Sequence, residues 1–267
     1  MRPFAIPSSA SRLLRLRPCL TLALAASLPA AALCWLLVGG PAASQPTPRF
    51  DGFAKVRAKT IQSQLDQVEG DYLIALGDSH AERLYLPALC GLNVLNAGIS
   101  GATVQDVLAL VRAVTPRHKA RRILLVIGTN DIWSKRHPED PGAEKAFAAG
   151  MRQLLDWLGT WTERVTLVAI PPVARAQESE FPRAAAARYT ALLREACLSG
   201  HCDVLPVFDA AGEGTAGRAS GLSGDGVHLA NYASHVRAAE AEICGGAAGP
   251  PAGRTALPAG SRLPRGG

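Results

Sequence analysis

Three side chains in this sequence have the types that nucleophilic acyl transfer requires. The reaction needs a serine, an imidazole that takes its proton, and a carboxylate that orients the imidazole. Ser79 follows an apolar run at 72–76 and precedes a helical pattern, so it lies where a strand turns into a helix. Asp225 and His228 are three residues apart at a predicted helix start, a spacing that can place the carboxylate beside the imidazole. These residues are therefore candidates for a nucleophile, a base and an orienting carboxylate.

Acyl transfer also needs hydrogen-bond donors for the oxyanion, and two further positions could supply them. Gly101 can present its backbone N–H close to a substrate because it has no side chain, and Asn130 can present its amide. Each residue alone has an ordinary structural explanation, since serine is a favoured helix cap, asparagine a favoured turn residue, and glycine common at helix starts. Their joint occurrence favours a catalytic site.

Apolar runs and helical patterns alternate along the chain. Strands are predicted at 72–76, 93–97, 123–127, 165–170 and 203–207. Helices are predicted at 51–68, 81–89, 103–113, 142–159, 182–196 and 229–243. Apolar strands separated by helices indicate a parallel sheet covered on both faces. We expect an α/β fold, a three-layer α/β/α sandwich whose five-stranded, doubly wound parallel sheet has the order 2-1-3-4-5.

This topology would bring the candidate residues together, because ligands of open parallel sheets bind beyond the carboxyl ends of the strands. Ser79 follows the first predicted strand and Gly101 the second. Asn130 follows the third strand, and Asp225 and His228 follow the fifth. The histidines lack the paired spacing of a metal site, so we expect no metal. Acyl transfer through a serine uses side chains alone, so we expect no other cofactor.

Four cysteines follow the apolar N-terminal segment, an even number that permits two disulfides outside the cytoplasm. Cys197 and Cys202 flank a loop short enough to close. Cys90 and Cys244 end the helices predicted after the first and last strands, which run the same way on one face of the sheet. Both should lie at the end of the sheet remote from the candidate site, which predicts a Cys90–Cys244 bridge. Buried free thiols are the alternative.

The net charge of +6 is concentrated at the two ends of the chain. Residues 1–45 hold four arginines and residues 245–267 hold three, with no acidic residue in either segment. The remaining 21 basic residues face 22 acidic ones, so the body of the chain is close to neutral. A neutral body offers no electrostatic footprint for nucleic acid, and we expect no such partner.

The N-terminus has the pattern of a targeting segment. Residues 19–38 contain no charged residue and follow the four arginines. Their length is close to the roughly 20 residues that span a bilayer, and the preceding positive charge would keep residues 1–18 in the cytoplasm. An anchor at 19–38 is favoured on length over a signal segment, whose cleavage would release a secreted protein.

The rest of the chain divides into three further segments. Residues 39–50 are predicted to be a linker and residues 51–244 a folded domain. Residues 245–267 are rich in Gly, Pro, Ala and Arg without aromatic residues, a composition typical of a disordered tail.

Four sequence blocks at the predicted strand ends resemble the signature blocks of the SGNH (GDSL-type) hydrolases. They are Gly77-Asp78-Ser79, Ile-Ser-Gly101-Ala-Thr, Gly-Thr-Asn130-Asp and Asp225-Gly-Val-His228. The resemblance covers residues 70–242 and implies the same flavodoxin-like α/β/α sandwich. It implies that Ser79 is the nucleophile, that a helix-borne His228 is the base, and that Asp225 orients this base. It also implies an oxyanion hole formed by the N–H groups of Ser79 and Gly101 with the side chain of Asn130.

The residue after Ser79 is His80, where many members of the family carry leucine. A Gly-Asp-Ser-His start is similar to that of extracytoplasmic members that work with membrane acyltransferases on cell-surface glycans. The resemblance therefore implies a periplasmic location, a small acyl ester or an O-acylated glycan as substrate, and a membrane acyltransferase as a candidate partner.

The expected function is that of an exported serine esterase. It would cleave short-chain O-acyl esters, such as acetyl esters, through an acyl-enzyme on Ser79. One alternative is an O-acyltransferase or deacetylase partner that acts on envelope polysaccharide with the same triad. The other is a glycan-binding module that keeps the fold without catalysis.

Overall fold

The computed structural model describes residues 52–199, 202–212 and 221–245. The predictions for the N-terminal segments at 1–18, 19–38 and 39–50 and for the tail from 246 onward lie outside these residues. Within the described ranges, every helix is too short or too polar to cross a membrane.

The core of the molecule is a six-stranded sheet in the order β2-β3-β1-β4-β5-β6. The strands are β1 (Tyr72–Gly77), β2 (Ala88–Leu89), β3 (Leu92–Gly98), β4 (Arg122–Val126), β5 (Val165–Val168) and β6 (Cys202–Leu205). The predicted five parallel strands and their order are confirmed. The strand count of five is wrong, because β2 adds a short antiparallel edge strand beside β3.

Both faces of the sheet are buried, as the apolar strands predicted. Along β1, Tyr72, Ile74 and Leu76 contact one hydrophobic cluster, while Leu73 and Ala75 contact a second cluster on the opposite face. Successive side chains of a strand point to opposite faces, so one fully apolar strand serves two layers. The result is the expected three-layer α/β/α arrangement.

Seven helices cover this sheet in the described residues. They are α1 (Phe53–Gln67), α2 (Ser79–Glu82), α3 (Val104–Ala113), α4 (Pro141–Leu158), α5 (Arg183–Ala196), α6 (Tyr232–Ala238) and α7 (Glu240–Cys244). Helices α1, α3, α4 and α5 bury their apolar faces in the first cluster, whereas α6 and α7 contribute Val236 and Ile243 to the second. Helix α3 begins with a capping box in which Thr103 and Asp106 satisfy each other's backbone N–H groups.

The helix predicted at 81–89 is wrong, because α2 ends at Glu82. Pro87 lacks an N–H and disfavours a helical conformation for the residue before it. In addition, the Asn96 amide of β3 donates to the carbonyls of Ala81, Glu82 and Leu84, at 2.8, 3.2 and 3.0 Å. A longer helix would need these carbonyls for its own hydrogen bonds.

The single helix predicted at 229–243 is wrong, because the structure has two shorter helices there. His228 precedes both of them and does not lie on a helix. Asn231 caps α6 by accepting the N–H of Ser234 at 3.0 Å, so regular helix begins only at Tyr232. A break at Ala239 then separates α6 from α7. The loop before Asn231 is therefore not helical, and its own hydrogen bonds set its conformation.

Both predicted disulfides are present, with Cα–Cα distances of 5.4 Å for Cys90–Cys244 and 5.1 Å for Cys197–Cys202. Cys90 lies in the turn between β2 and β3 rather than at a helix end. Arg122, the first residue of β4, donates to the carbonyl of Cys244 at 3.0 Å, which places this bridge at the amino ends of the strands as predicted. Two bridges indicate that the protein folds in an oxidising, extracytoplasmic environment.

Candidate active site

Ser79 is the first residue of a helix that starts directly after the central strand. Gly77 ends β1 with a φ of +142°, and a side chain there would overlap the Val126 carbonyl of the neighbouring strand. Asp78 caps the helix by accepting the N–H of His80 at 2.9 Å. This turn holds Ser79 at the carboxyl end of the sheet, where its side chain is nearly buried.

Asp225 and His228 lie in a tight hairpin loop between Leu222 and Leu229, which form an antiparallel bridge. Oδ1 of Asp225 accepts the backbone N–H groups of Val227 and His228, at 3.0 and 2.9 Å. A side chain that binds its own following backbone in this way fixes the turn locally. The segment therefore presents carboxylate and imidazole together without a helix.

The hairpin brings its two side chains to Ser79 in a continuous relay. The Ser79 Oγ to His228 Nε2 distance is 2.8 Å, and the His228 Nδ1 to Asp225 Oδ2 distance is also 2.8 Å. A carboxylate can only accept, so Nδ1 carries the ring hydrogen and Nε2 of the neutral ring accepts the serine hydroxyl. Residues 149 positions apart in sequence thus meet in the geometry of a serine, a base and an orienting carboxylate.

The charge of Asp225 is strongly stabilised. Burial by itself would raise the pKa of Asp225. The hydrogen bonds that its carboxylate accepts from the His228 N–H, the Ser223 hydroxyl and the Val227 N–H have the larger effect and hold this pKa well below its ordinary value. Arg83 adds an exposed ion pair at 3.4 Å. Asp225 therefore stays ionised and can stabilise a positive charge on His228.

The three predicted oxyanion donors lie on neighbouring loops. The Asn130 amide donates to the Ala102 carbonyl at 3.0 Å, which leaves its second hydrogen available beside Gly101. The N–H of Ile99 donates to the Gly77 carbonyl at 2.9 Å and ties this loop to the Ser79 turn. Among the described residues, neither the Ser79 N–H nor the Gly101 N–H has a hydrogen-bond acceptor. The sequence-predicted residues are thus brought together, with donors left free.

A polar network supports the loop that carries Gly101. Arg57 of α1 donates to the carbonyls of Gly98 and Asn96, each at 2.9 Å. Glu82 accepts the N–H of Ser100 at 2.6 Å, one residue before Gly101. Because Glu82 ends the helix that begins with Ser79, this bond connects the Ser79 turn to a candidate oxyanion donor.

Two carboxyl groups flank the site, the fully buried Asp78 and the partly buried Asp131. Burial raises the pKa of each to about 7, and the negative charge of Asp131 adds to the shift at Asp78. Asp131 accepts the N–H of Val104, whereas Oδ2 of Asp78 makes no hydrogen bond of ordinary geometry to the described residues. Neither group belongs to the relay, but Asp78 directly precedes Ser79 and Asp131 directly follows Asn130 in the chain.

Sequence reasoning missed several residues that hold the site together. Asn96 stood at a predicted strand end, but nothing in a single sequence showed that its amide would bind three carbonyls of the nucleophile segment. The Tyr232 hydroxyl accepts the N–H of Leu229, next to His228, at 3.2 Å, but a lone tyrosine has no specific sequence signal. Ser223 precedes Asp225 by two residues, a spacing that suits a local hydroxyl–carboxylate bond, here 2.7 Å long.

A cleft of about 570 Å³ runs along the edge of the sheet between α1 and the segment after α2. Glu82 and Arg57 contribute to its lining, but no residue of the relay does. In the parts of the chain that the structure describes, no cluster of His, Cys, Asp and Glu has the arrangement of a metal site.

The model of the GDSL-like lipase/acylhydrolase family matches residues 60–233 of the sequence. No curated protein sequence matches the chain.

Several solved structures are similar in fold. A Streptococcus pneumonia protein named for platelet activating factor is 21% identical, with a TM-score of 0.60 over 83% of this chain and 99% of its own. LAE5, an alpha/beta hydrolase from the metagenome of Lake Arreo, is 18% identical, with a TM-score of 0.54 over 67% of this chain and 96% of its own. Axe2, an acetylxylan esterase from Geobacillus stearothermophilus, is 18% identical, with a TM-score of 0.52 over 66% of this chain and 95% of its own.

Proposed function

The chain belongs to the GDSL-like lipase/acylhydrolase family as an SGNH-type serine hydrolase, and from this premise we propose that it cleaves short-chain O-acyl esters through an acyl-enzyme on Ser79. The observation that carries the proposal is the relay from Ser79 Oγ through His228 to Asp225, with two contacts of 2.8 Å. A serine in this position loses its proton to the imidazole as it attacks a carbonyl carbon.

In the acylation step, Ser79 Oγ forms a bond to the ester carbonyl carbon while its proton moves to Nε2 of His228. The carbonyl oxygen becomes an oxyanion, which the N–H groups of Ser79 and Gly101 and the Asn130 amide would stabilise. Asp225 stabilises the imidazolium through Nδ1. The tetrahedral intermediate then collapses, and the alcohol leaves with the proton from Nε2.

In the deacylation step, water attacks the acyl-Ser79 ester. His228 takes one proton of the water, and the same donors stabilise the second oxyanion. Collapse returns the proton to Ser79 Oγ and releases a carboxylic acid. Every proton is passed through His228, so the cycle needs no metal or organic cofactor.

The proposed substrate class rests on the compartment in which we place the protein. We propose acetyl or similar small esters, on small molecules or on an O-acylated envelope glycan, with the protein in the periplasm and held at the membrane by residues 19–38. The two disulfides support an oxidising compartment. Axe2, which shares the fold, is an acetylxylan esterase, and this supports a glycan-borne acetyl group as one substrate.

The second candidate function is transfer of the acyl group to a sugar hydroxyl instead of water, with a membrane acyltransferase as the donor-supplying partner. It uses the same acyl-enzyme, because any hydroxyl that reaches the acyl carbon can give its proton to His228. A glycan-binding module without catalysis is the third possibility. It is disfavoured because the Ser79 hydroxyl, His228 and Asp225 are aligned for proton transfer.

Hydrolysis of p-nitrophenyl esters of increasing acyl length tests the proposal. The full chain should be produced in an oxidising compartment beside Ser79→Ala and His228→Ala. Each of these variants should lose about 10³-fold or more in kcat, since a triad acts as a unit. His118→Ala is the matched control, because it removes a histidine that binds the Gly70 carbonyl near the amino ends of the strands.

Labelling of Ser79 by a fluorophosphonate separates the alternatives. Turnover with labelling supports the esterase, and acyl transfer to an added oligosaccharide in preference to water supports the transferase. A folded protein that neither turns over esters nor takes up the label would contradict both catalytic functions.

A further inference from the structure

His80 is a fully buried histidine that the relay does not use. Only three buried side-chain polar atoms of the described residues lack a hydrogen-bond partner, and one of them is Nε2 of His80. Burying such a group costs free energy that an aliphatic side chain would not cost. Its other ring nitrogen, Nδ1, does have a partner, and this contact connects it to the candidate base.

The partner is Tyr232, whose hydroxyl lies 2.9 Å from Nδ1 of His80. The same hydroxyl accepts the backbone N–H of Leu229 at 3.2 Å. His80 directly follows Ser79, and Leu229 directly follows His228. Together with the 2.8 Å contact between Ser79 and His228, these bonds close a ring that joins the nucleophile turn to the loop of the base.

The hydrogen positions in this ring follow from the donors available. The Tyr232 oxygen accepts from Leu229, so its own hydrogen can be donated to Nδ1, and the neutral His80 ring then carries its hydrogen on Nε2. Burial, with smaller contributions from His228 and Arg83, lowers the pKa of His80 to about 3. His80 therefore stays neutral beside the base and does not compete with it for a proton.

Ring packing completes the connection. The His80 and His228 ring centroids are 5.1 Å apart, and the His80 and Tyr232 rings meet edge to face at 5.8 Å. Phe208 packs edge to face on Tyr232, with ring centroids 5.7 Å apart, and helps to fix the position of the Tyr232 ring. The imidazole of His228 thus rests against a side chain whose own orientation is fixed by a hydrogen bond.

We infer that His80 and Tyr232 are positioning residues that act as one hydrogen-bonded unit and hold His228 in register with Ser79. This inference rests on the proposed function, since it concerns the geometry of the same proton transfer. Misplacement of a catalytic group by about 1 Å can cost about 100-fold in rate, so a small shift of the loop would be measurable.

Four variants test the inference, with kcat and KM for p-nitrophenyl acetate, the rate of fluorophosphonate labelling, and Tm as readouts. Tyr232→Phe removes one oxygen and His80→Leu removes the acceptor at nearly constant volume. The double variant combines them, and His80→Asn keeps an acceptor near the position of Nδ1. The control Tyr72→Phe removes a buried hydroxyl that donates to the His118 carbonyl at 2.7 Å, at the opposite end of the sheet.

We expect about a tenfold lower kcat and labelling rate for Tyr232→Phe and for His80→Leu, with KM within about twofold of wild type. The double variant should be no slower than the slower single variant, and His80→Asn should recover most of the rate. Tyr72→Phe should lower Tm without changing kcat.

Three results would overturn the inference while the proposed function stands. The first is a wild-type kcat for Tyr232→Phe with a Tm loss like that of Tyr72→Phe. The second is a kcat loss in the double variant equal to the product of the two single losses, and the third is a kcat of His80→Asn no higher than that of His80→Leu. Wild-type protein that neither turns over nor labels would instead overturn the proposed function. If His80→Leu does not fold, the comparison of kcat between Tyr232→Phe and Tyr72→Phe tests the inference by itself.

Discussion

Gly98, the last residue of β3, packs directly against the backbone of Glu82, the last residue of the helix that begins with Ser79. A Cβ on Gly98 would overlap the backbone of Ala81 and Glu82. The nucleophile helix can lie this close to the sheet only because position 98 has no side chain.

We expect Gly98→Ala to push this helix away from the sheet. Overpacking of this kind costs about 1–3 kcal/mol in the free energy of unfolding, and kcat should fall because Ser79 moves with the helix. Gly142→Ala, in the first turn of α4 with open space around it, is the matched control and should leave stability equal or slightly higher. Urea unfolding and ester hydrolysis measure both effects, and an unchanged kcat in Gly98→Ala would show that the helix adapts.

Asp225→Asn should abolish most activity while keeping the fold. The amide places a donor opposite the Nδ1 hydrogen of His228 and so favours the wrong ring tautomer, a change that costs about 10⁴-fold in serine proteases. Arg83→Gln is the control, because it removes the exposed ion pair with Asp225 but leaves the relay intact. Its kcat should stay within a few-fold of wild type, and a comparable loss in both variants would argue that the charge rather than the tautomer matters.

Asp131→Asn should change how stability depends on pH. The pKa of Asp131 rises from 3.8 in the unfolded chain to about 7 in the folded protein, so the native state binds the extra proton between these values. Its contribution to stability is therefore fully present below about pH 4 and is lost as the pH rises through about 7. Denaturant unfolding at about pH 5 and about pH 8 should show the variant gaining stability relative to wild type at the higher pH. A pH-independent difference between the two proteins would contradict the raised pKa.

The two disulfides should contribute unequally to stability. Cys90 and Cys244 are separated by 154 residues, whereas Cys197 and Cys202 are separated by 5. The loop-entropy relation then gives about 5 kcal/mol for the first bridge and about 2 kcal/mol for the second. Guanidinium unfolding of the two paired Cys→Ser variants measures the difference, and free thiols at Cys90 and Cys244 in peptide mapping of the wild type would contradict the longer bridge.

Much of the site was predictable because its residues occur where local signals are strong. The apolar run that forms β1 must be buried on both faces, which makes it the central strand and puts Ser79 at the ligand-binding edge of the sheet. Hydrogen bonds within four residues fix the conformation of the Asp225-Gly-Val-His228 loop, so the residues of the loop are enough to predict its geometry.

The elements that were predicted wrongly are those that distant residues control. Pro87 indicates that a helix cannot continue to residue 89, but α2 stops already at Glu82 because Asn96 takes its last carbonyls, and nothing in 81–89 shows that contact. The edge strand β2 is too short to show an alternating pattern and forms by pairing with β3.

The sequence by itself indicated which segments form strands and which residues are candidates for the relay and its donors, because periodicity and turn chemistry act over a few residues. The tertiary structure alone decided which side chains hold that relay in place. The bond between His80 and Tyr232, the bond from the Val104 N–H to Asp131, and the close packing of Gly98 on Glu82 all join segments apart in the chain. Such contacts depend on the distance between packed elements, which exists only once the chain has folded.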